Sequence, residues 1–212
     1  MVKLDIFSDP ICPWCYIGKT NLDRALAQQT DQPFEIEWHP FQLNPDMPRE
    51  GMDRRDYLET KFGGKQNAVR VYAQIAEAAE AINLPIDFGA IKRTPNTLNA
   101  HRLIHWSYIE QCQDTVVDAL FEAYFQQGLD IGDTDILADI ADTAGIDAAA
   151  VRRLLATDED IDEVLKRDAH AREMGINSVP TFIVDRQHAV PGAQPTDLWR
   201  QVMAQVIQAQ AG

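Results

Sequence analysis

The N-terminal part of the chain changes twice between an alternating and a helical pattern of apolar residues. Residues 2–7 alternate apolar and polar side chains, which predicts a short strand. From Cys15 to about Gln28 the apolar residues recur at helical spacing, and residues 34–41 alternate again. We therefore expect a strand, a helix and a second strand in that order.

A proline-rich stretch at residues 44–48 ends this pattern, and helical spacing then dominates as far as Gly175. Within it, Thr94-Pro95-Asn96 predicts the cap and first turn of one helix. A long final helix is expected at residues 158–174, before the glycine stop. The predicted C-terminal elements are a strand at residues 181–184, its hairpin partner at 188–190 and an amphipathic helix at 198–207.

Strand–helix–strand followed by strand–strand–helix is the order of a thioredoxin fold, so the predicted class is α/β with a large all-helical insertion. We expect a discontinuous thioredoxin-like domain made of residues 1–44 and 175–212. Residues 45–174 would form a helical insert domain that includes the long helix returning to the first domain.

Charge and length narrow the possible partners. The 212 residues include 19 basic and 33 acidic side chains, giving a formal net charge of −14. Phosphate recognition needs clustered Lys and Arg, so nucleic acid and anionic membranes are not expected partners. No apolar run approaches the roughly 20 residues that span a bilayer, and the N-terminus lacks the pattern of a signal peptide. The expected location is the cytoplasm.

Two of the three cysteines stand close together, at Cys12 and Cys15, around Pro13 and Trp14. In a reducing compartment such a pair indicates redox or metal chemistry. Pro13 suits the first turn of a helix, and a helix N-terminus favours a thiolate at Cys12. We expect Cys12 to be the exposed nucleophile and Cys15, one turn further, to be the resolving thiol.

Zinc binding and simple packing are the alternatives for this pair. A structural zinc site needs four ligands, and only Cys112 and five histidines remain, none at ligand spacing. His101 and His105 lie at i and i+4, but no Glu follows His101 as it does in zinc-binding helices. We therefore predict no metal site, and partly buried or surface positions for these two histidines.

A second signal is Ser178-Val179-Pro180-Thr181, directly before a predicted strand. Most prolines at a strand start are trans, since cis is found in only about 5–6% of X–Pro bonds. Together with the cysteine pair and the order of elements, however, a cis bond is favoured here. A loop of this kind facing Cys12 would leave backbone groups of Val179 free to pair with an extended substrate.

With these motifs the chain resembles the DsbA-like thioredoxin family, in its cytoplasmic FrnE-like branch. The resemblance covers nearly the whole chain and is carried by four segments, which are Ser8–Gly18, Thr94–Leu103, Gly175–Phe182 and Pro191–Gln194.

The resemblance implies a thioredoxin fold with a helical insert, a cis Val179–Pro180 bond and disulfide oxidoreductase or isomerase activity. The expected partners are thiol or disulfide protein substrates, and the chain itself is expected to be a monomer or homodimer. No cofactor is required beyond the thiols, and glutathione is a possible recycling thiol. Trp14 replaces the His of the periplasmic members, and an indole cannot hold a thiolate as a cation. We therefore expect a less oxidising centre. The substrate-binding candidates are Pro13, Trp14, Val179, Pro180 and Thr181.

Two other functions remain open. Kappa-class glutathione transferases and 2-hydroxychromene-2-carboxylate isomerases look similar but typically carry Ser in place of Cys12. In such a glutathione-dependent enzyme, acting on a small aromatic substrate, Val179 would bind the cysteinyl backbone and the turn at residues 192–194 the glutamyl end. A non-enzymatic holdase is the other alternative, and its activity would survive loss of both thiols.

Four further features are assigned lesser roles. Asn96 is expected at a helix start, and Cys112 is expected to be a packed, inert thiol. Asp9 is a candidate acid for tuning proton transfer from Cys15. The acidic run at residues 158–160 is expected at a helix N-terminus, where negative charge is favourable.

Overall fold

The computed structural model describes residues 1–30 and 32–211, and these form six strands and nine helices. In chain order they are β1 (Val2–Ser8), α1 (Pro13–Leu26), β2 (Phe34–Pro40), β3 (Met52–Asp53), α2 (Arg54–Phe62), α3 (Lys65–Ala81), β4 (Arg93–Thr94), α4 (Leu98–Ile109), α5 (Gln113–Phe125), α6 (Thr134–Thr143), α7 (Ala148–Leu155), α8 (Ile161–Glu173), β5 (Thr181–Val184), β6 (His188–Pro191) and α9 (Thr196–Ala211).

The main sheet has the strand order β2-β1-β5-β6. β1 pairs in parallel with β2, with Ile6 opposite Trp38, and antiparallel with β5, with Ile6 opposite Phe182. β5 and β6 form the predicted hairpin. The predicted α/β class and thioredoxin-like topology are therefore confirmed.

Buried aromatic side chains hold α9 against this sheet. Trp199 is fully buried and meets the ring of Phe182 at 4.7 Å in an edge-on arrangement. α9 also packs along α1, so the C-terminal helix supports the helix that carries the two cysteines.

The segment between β2 and β5 is mainly helical, as predicted, with one short exception. Met52 of β3 pairs with Thr94 of β4 in a two-stranded antiparallel bridge. Because Thr94 lies in this strand, the prediction that it caps a helix is wrong, and α4 begins at Leu98. Asn96 does serve the helix start, since its Oδ1 accepts a hydrogen bond from the Leu98 amide at 2.9 Å.

Two helices differ from their predicted bounds. α1 begins at Pro13, the residue predicted to suit a first helical turn, but it ends at Leu26, before the expected end near Gln28. α8 begins at Ile161, so the acidic run at residues 158–160 precedes it. Asp160 has a left-handed backbone with φ of 58°, and its carboxylate accepts a hydrogen bond from the Trp106 indole at 2.8 Å.

α8 packs against β2 and α4, and thus contacts both the sheet and the helical segment. The division of the chain into two domains at residues 44 and 175 stays a prediction. Within the described ranges, no helix has the length and apolarity needed to cross a membrane.

Candidate active site

The two cysteines lie at the first turn of α1, where the chain leaves β1. Cys12 is the residue that caps the helix, with extended backbone angles, and Pro13 follows at the first helical position. The Cys12 carbonyl accepts the amides of Cys15 and Tyr16 at 3.0 and 3.2 Å. No side chain caps this helix end, so its free N–H groups and positive dipole favour an anion at Cys12.

Both sulfurs are covered by the surrounding chain. Cys12 is 4% exposed and Cys15 is 1% exposed, so the prediction of an exposed nucleophile is wrong. One physical reason is the loop before β5, whose Val179 carbonyl lies 3.6 Å from Cys12 Sγ. Trp14, between the cysteines, is 38% exposed, in line with its expected surface position.

The loop that faces Cys12 has the predicted cis bond between Val179 and Pro180. The Thr181 hydroxyl donates to the Ser178 carbonyl at 2.8 Å, and the Gly192 amide donates to the Pro180 carbonyl at 2.7 Å. The turn after β6 therefore supports this loop from behind. The Val179 carbonyl contacts the Cys12 sulfur. In this arrangement it is not free to pair with a substrate, contrary to the prediction.

A glycine one turn beyond Cys15 allows α1 to approach the loop. A Cβ atom placed on Gly18 would lie 3.0 Å from Pro180 Cγ and 3.4 Å from Ala193 Cα. Glycine inside a helix lowers helix stability by about 1 kcal/mol relative to alanine. The close contact with Pro180 explains why a glycine is present here despite this loss of helix stability, since any larger residue would crowd the proline.

Asp9 is fully buried between the first strand and the cysteine turn. Its carboxylate accepts the Leu43 amide at 2.7 Å and the Ile11 amide at 3.3 Å. Burial raises the pKa of Asp9 to about 6, although the hydrogen bonds oppose this shift. A carboxyl group with this pKa can exchange a proton near neutral pH.

Cys15 is held mainly in its thiol form. Burial raises the pKa of Cys15 well above its ordinary value, and the adjacent Cys12 sulfur raises it further. The Ser8 hydroxyl and the Asp9 backbone amide act in the opposite direction. Cys15 therefore needs to lose a proton before it can attack a disulfide.

His101 of α4 belongs to the same buried region. It is 2% exposed, so the prediction of a partly buried or surface histidine is wrong for it. Its Nε2 lies 3.8 Å from Asp9 Oδ1, and burial lowers its pKa to about 4, which keeps the ring neutral. His105 is instead directed to Arg167, with 3.2 Å between the two nitrogens. The i, i+4 spacing alone could not reveal that His101 lies beside Asp9, where its Nε2 has no hydrogen-bond partner in the described part of the chain.

The helical segment adds a polar group that no sequence pattern had indicated. The Tyr57 hydroxyl donates to Asn44 Oδ1 at 3.0 Å, and Lys61 Nζ donates to the Tyr57 hydroxyl at 2.6 Å. Burial raises the pKa of Tyr57 to about 12, and the charges of Asp9 and Cys12 contribute in the same direction. α2 therefore brings Tyr57 and Lys61 within electrostatic range of Cys12.

A buried lysine fixes α1 against α5. Lys19 is 1% exposed, and its ammonium lies 2.8 Å from Asp23, 3.3 Å from Asp114 and 2.7 Å from Asp118. Burial raises the pKa of Asp23 to about 6, against the attraction of Lys19. This ion cluster ties the cysteine-bearing helix to the helical segment.

One group in the described part of the chain has a spacing that could hold a metal ion, namely Asp5, Glu37 and His39. Neither cysteine of the pair belongs to it. Glu37 is already paired with Lys3 at 2.6 Å and Arg167 at 2.5 Å. These two cations neutralise the negative charge of Glu37, which a metal ion would need for binding.

Comparison with known proteins agrees with this geometry. Residues 3–204 match the model of the DSBA-like thioredoxin domain family. A probable DsbA oxidoreductase of Streptomyces coelicolor, SCO1869, is 28% identical, with a TM-score of 0.86 over 98% of this chain and 91% of its own.

Two more distant structures share the fold. A 2-hydroxychromene-2-carboxylate isomerase is 16% identical, with a TM-score of 0.74 over 99% of this chain and 98% of its own. The cytosolic disulfide reductase DsbM of Pseudomonas aeruginosa, in a structure with glutathione, is 15% identical. Its TM-score is 0.68, over 97% of this chain and 99% of its own.

Proposed function

The chain belongs to the DSBA-like thioredoxin domain family, and from this premise we propose that it is a thiol–disulfide oxidoreductase or isomerase of protein or small thiol substrates. One observation carries the proposal. Cys12 lies at an uncapped helix N-terminus, 3.6 Å from the Val179 carbonyl of the cis-proline loop, with Cys15 buried one turn behind it. This arrangement favours an anionic sulfur at Cys12, while Cys15 stays a buried thiol until the resolving step.

In the reducing direction, the Cys12 thiolate attacks one sulfur of a substrate disulfide. A Cys12–substrate disulfide forms, and the other substrate sulfur leaves as a thiolate. Cys15 then loses its proton and attacks the Cys12 sulfur, which forms the Cys12–Cys15 disulfide and releases the second substrate thiolate. The oxidising direction reverses both steps, and an external thiol or disulfide returns the enzyme to its starting state.

We propose that the Asp9 carboxylate accepts the proton that Cys15 loses. Asp9 is buried, has a pKa of about 6 and is therefore mostly ionised at pH 7. It can accept a proton from a thiol whose own pKa burial has raised. The loop residues Val179, Pro180 and Thr181 would position the substrate, and the half-exposed Trp14 and adjacent Pro13 would contact its apolar part.

The test is reduction of insulin by dithiothreitol, followed by turbidity. Wild-type protein and the Cys112→Ser control should both accelerate precipitation, since Cys112 lies at the start of α5 and outside the pair. Cys12→Ser should lose all catalysis. Cys15→Ser should lose catalytic turnover and accumulate a mixed disulfide, detectable by mass spectrometry.

Catalysis that persists in Cys12→Ser would overturn the dithiol mechanism. An inactive wild type, or equal activity in Cys12→Ser and Cys112→Ser, would also do so. Aggregation suppression that survives the double Cys12→Ser and Cys15→Ser change would support a holdase in its place.

A glutathione-dependent isomerase or transferase is the second candidate, and the covered nucleophile favours it specifically. With Cys12 only 4% exposed, a narrow tripeptide thiol reaches the sulfur more readily than a folded protein. The ammonium of Lys61, close to Tyr57 of the same helix, offers a cation for a glutathione carboxylate. This candidate predicts glutathione binding by calorimetry and activity that survives Cys15→Ser, which the dithiol mechanism forbids.

We further propose a cytoplasmic location and membership in the FrnE-like branch. The structural neighbour DsbM is described as cytosolic. Fractionation of the native host followed by immunodetection would test the location, and a membrane or secreted pool would contradict it.

A further inference from the structure

A cleft in the helical segment contains a buried cation without a counter-charge. Arg54, at the start of α2, is 7% exposed. Its guanidinium donates to the hydroxyls of Tyr124 at 2.8 Å, Tyr72 at 2.9 Å and Thr94 at 3.5 Å. No carboxylate in the described part of the chain lies within ion-pair distance of it. Buried charges are normally paired, because an unpaired charge in a protein interior is costly.

The hydrogen bonds of Arg54 leave one edge of the guanidinium unused. An arginine has five N–H donors, and three donations are recorded here, two from Nη1 and one from Nη2. The remaining N–H groups are on Nε and Nη2. The Nε and Nη2 atoms of an arginine lie on its side-on edge, the edge that binds a carboxylate with two parallel hydrogen bonds.

Tyr72 adds a donor at the same place. Its hydroxyl oxygen accepts from Arg54, and its own proton has no acceptor among the residues that the structure describes. Burial raises the pKa of Tyr72, so the hydroxyl stays protonated and can donate to an anion. Tyr124 differs, because its hydroxyl donates to the Arg93 carbonyl at 3.4 Å.

Arg54 and Tyr72 line an open cleft of about 730 Å³ between α2, α3 and the chain leading to β4. This volume is within the range of ligand pockets, about 300–1,000 Å³. Apolar side chains form much of the wall, including Val69, Phe88 and Ile91. Phe88 contacts the Tyr72 ring edge-on, with 4.9 Å between ring centres. A ligand here would place an apolar body against these walls and an anionic group against Arg54.

The charges at the rim favour a single negative charge over a phosphate. Lys65, Lys92 and Arg55 line the cleft together with Asp53, Asp56 and Glu59. Asp53 is already occupied, since its carboxylate accepts the amides of Arg55 and Asp56 at the start of α2. Together with Arg54 the lining therefore has four cations and three acids. A monocarboxylate would balance this single excess positive charge, whereas a dianion would leave one negative charge uncompensated.

We propose that this cleft binds a small monocarboxylate with an aromatic or alkyl body, held by the Arg54 guanidinium and the Tyr72 hydroxyl. None of the residues that line this cleft belongs to the cysteine pair or to the cis-proline loop, and the proposal does not depend on the function proposed for that pair.

Calorimetry on the full chain tests the proposal with two probes of equal shape, 3-phenylpropanoate and its neutral amide. The carboxylate should bind about tenfold more tightly or better, because hydrogen bonds to a charged partner are the strong ones. Tyr72→Phe should weaken carboxylate binding about threefold by removing one donor. Because Arg54 supports buried hydroxyls, the decisive variant is at the rim, where Val69 is 60% exposed.

Val69→Glu should weaken carboxylate binding about fivefold or more by like-charge repulsion. The matched control is Ile109→Glu, at a side chain 71% exposed on α4, which should leave binding unchanged. Insulin reduction by Val69→Glu should equal that of the wild type. Equal affinity for the acid and the amide, no binding of either, unchanged binding in Val69→Glu, or tighter binding of inorganic phosphate would each overturn the proposal.

Discussion

Replacing Asp9 by Asn should make the protein more stable while slowing its chemistry. Burial raises the pKa of Asp9 from 3.8 to about 6. The folded state therefore retains a proton that the unfolded chain releases between these values, and stability falls as the pH rises through this window. A shift of roughly 2 pKa units corresponds to about 3 kcal/mol. This is the upper limit of the stability gain in Asp9→Asn at pH 7.

The gain should be smaller than this limit because Asn replaces one acceptor by a donor. The carboxylate accepts the Leu43 and Ile11 amides, and an amide nitrogen cannot accept either. Urea unfolding of both proteins at pH 4 and pH 7 measures the effect. From pH 4 to pH 7, the unfolding free energy of Asp9→Asn should rise relative to that of the wild type by about 1–3 kcal/mol.

The same variant should lose activity in the step that uses Cys15. General base catalysis contributes about 10²–10⁴-fold, so release of the mixed disulfide should slow by about 100-fold or more at pH 7. In the wild type, this rate should fall below pH 6 as Asp9 becomes protonated. Asp46→Asn, at an exposed position, is the matched control and should change neither property. A stability difference that does not depend on pH would refute the buried charge, and an unchanged release rate would refute the proton transfer.

Three further outcomes are expected. Gly18→Val should lower the free energy of unfolding by about 1–3 kcal/mol, because its side chain would crowd Pro180 at the 3.0 Å approach; an unchanged urea midpoint would contradict this contact. Lys19→Met should destabilise the protein more at pH 7.5 than at pH 5, because the Asp23 carboxyl, with a pKa of about 6, and its neighbours lose their counter-charge; an equal loss at both pH values would argue against the cluster. Titration with glutathione buffers should give a reduction potential more negative than about −120 mV, the value of a strongly oxidising DsbA, since Trp14 supplies no cation beside Cys12; a potential that high would refute this reasoning.

The parts of the fold that could be predicted are those set by local pattern. Alternation over residues 2–7 and 34–41 identified β1 and β2, and the Thr181–Val184 run identified β5, because a half-buried or buried strand has a distinct apolar period. The bridge between β3 and β4 could not be predicted, since each strand has only two residues. Such a short pairing is fixed by tertiary contacts and leaves no periodicity in the sequence.

The candidate site divides in the same way. The cysteine pair was accessible because its chemistry depends on residues close together in sequence. The cis Val179–Pro180 bond was accessible only in combination with that pair and the order of the elements, since most prolines at a strand start are trans. The proximity of His101 to Asp9 joins residues 92 positions apart and depends on how α4 packs against the cysteine turn. The burial of Cys12 likewise depends on a loop far along the chain.

Burial of the two sulfurs links these long-range contacts to the chemistry. A fully exposed Cys15 would need no internal base, because water would carry its proton. At 1% exposure its pKa is raised and solvent has little access, so an acceptor must come from within the fold. Asp9 can serve only because it is buried too, since burial raises its pKa towards that of the thiol. The packing that buries both groups therefore creates the need for an internal proton acceptor and also tunes the carboxylate that we propose for that role.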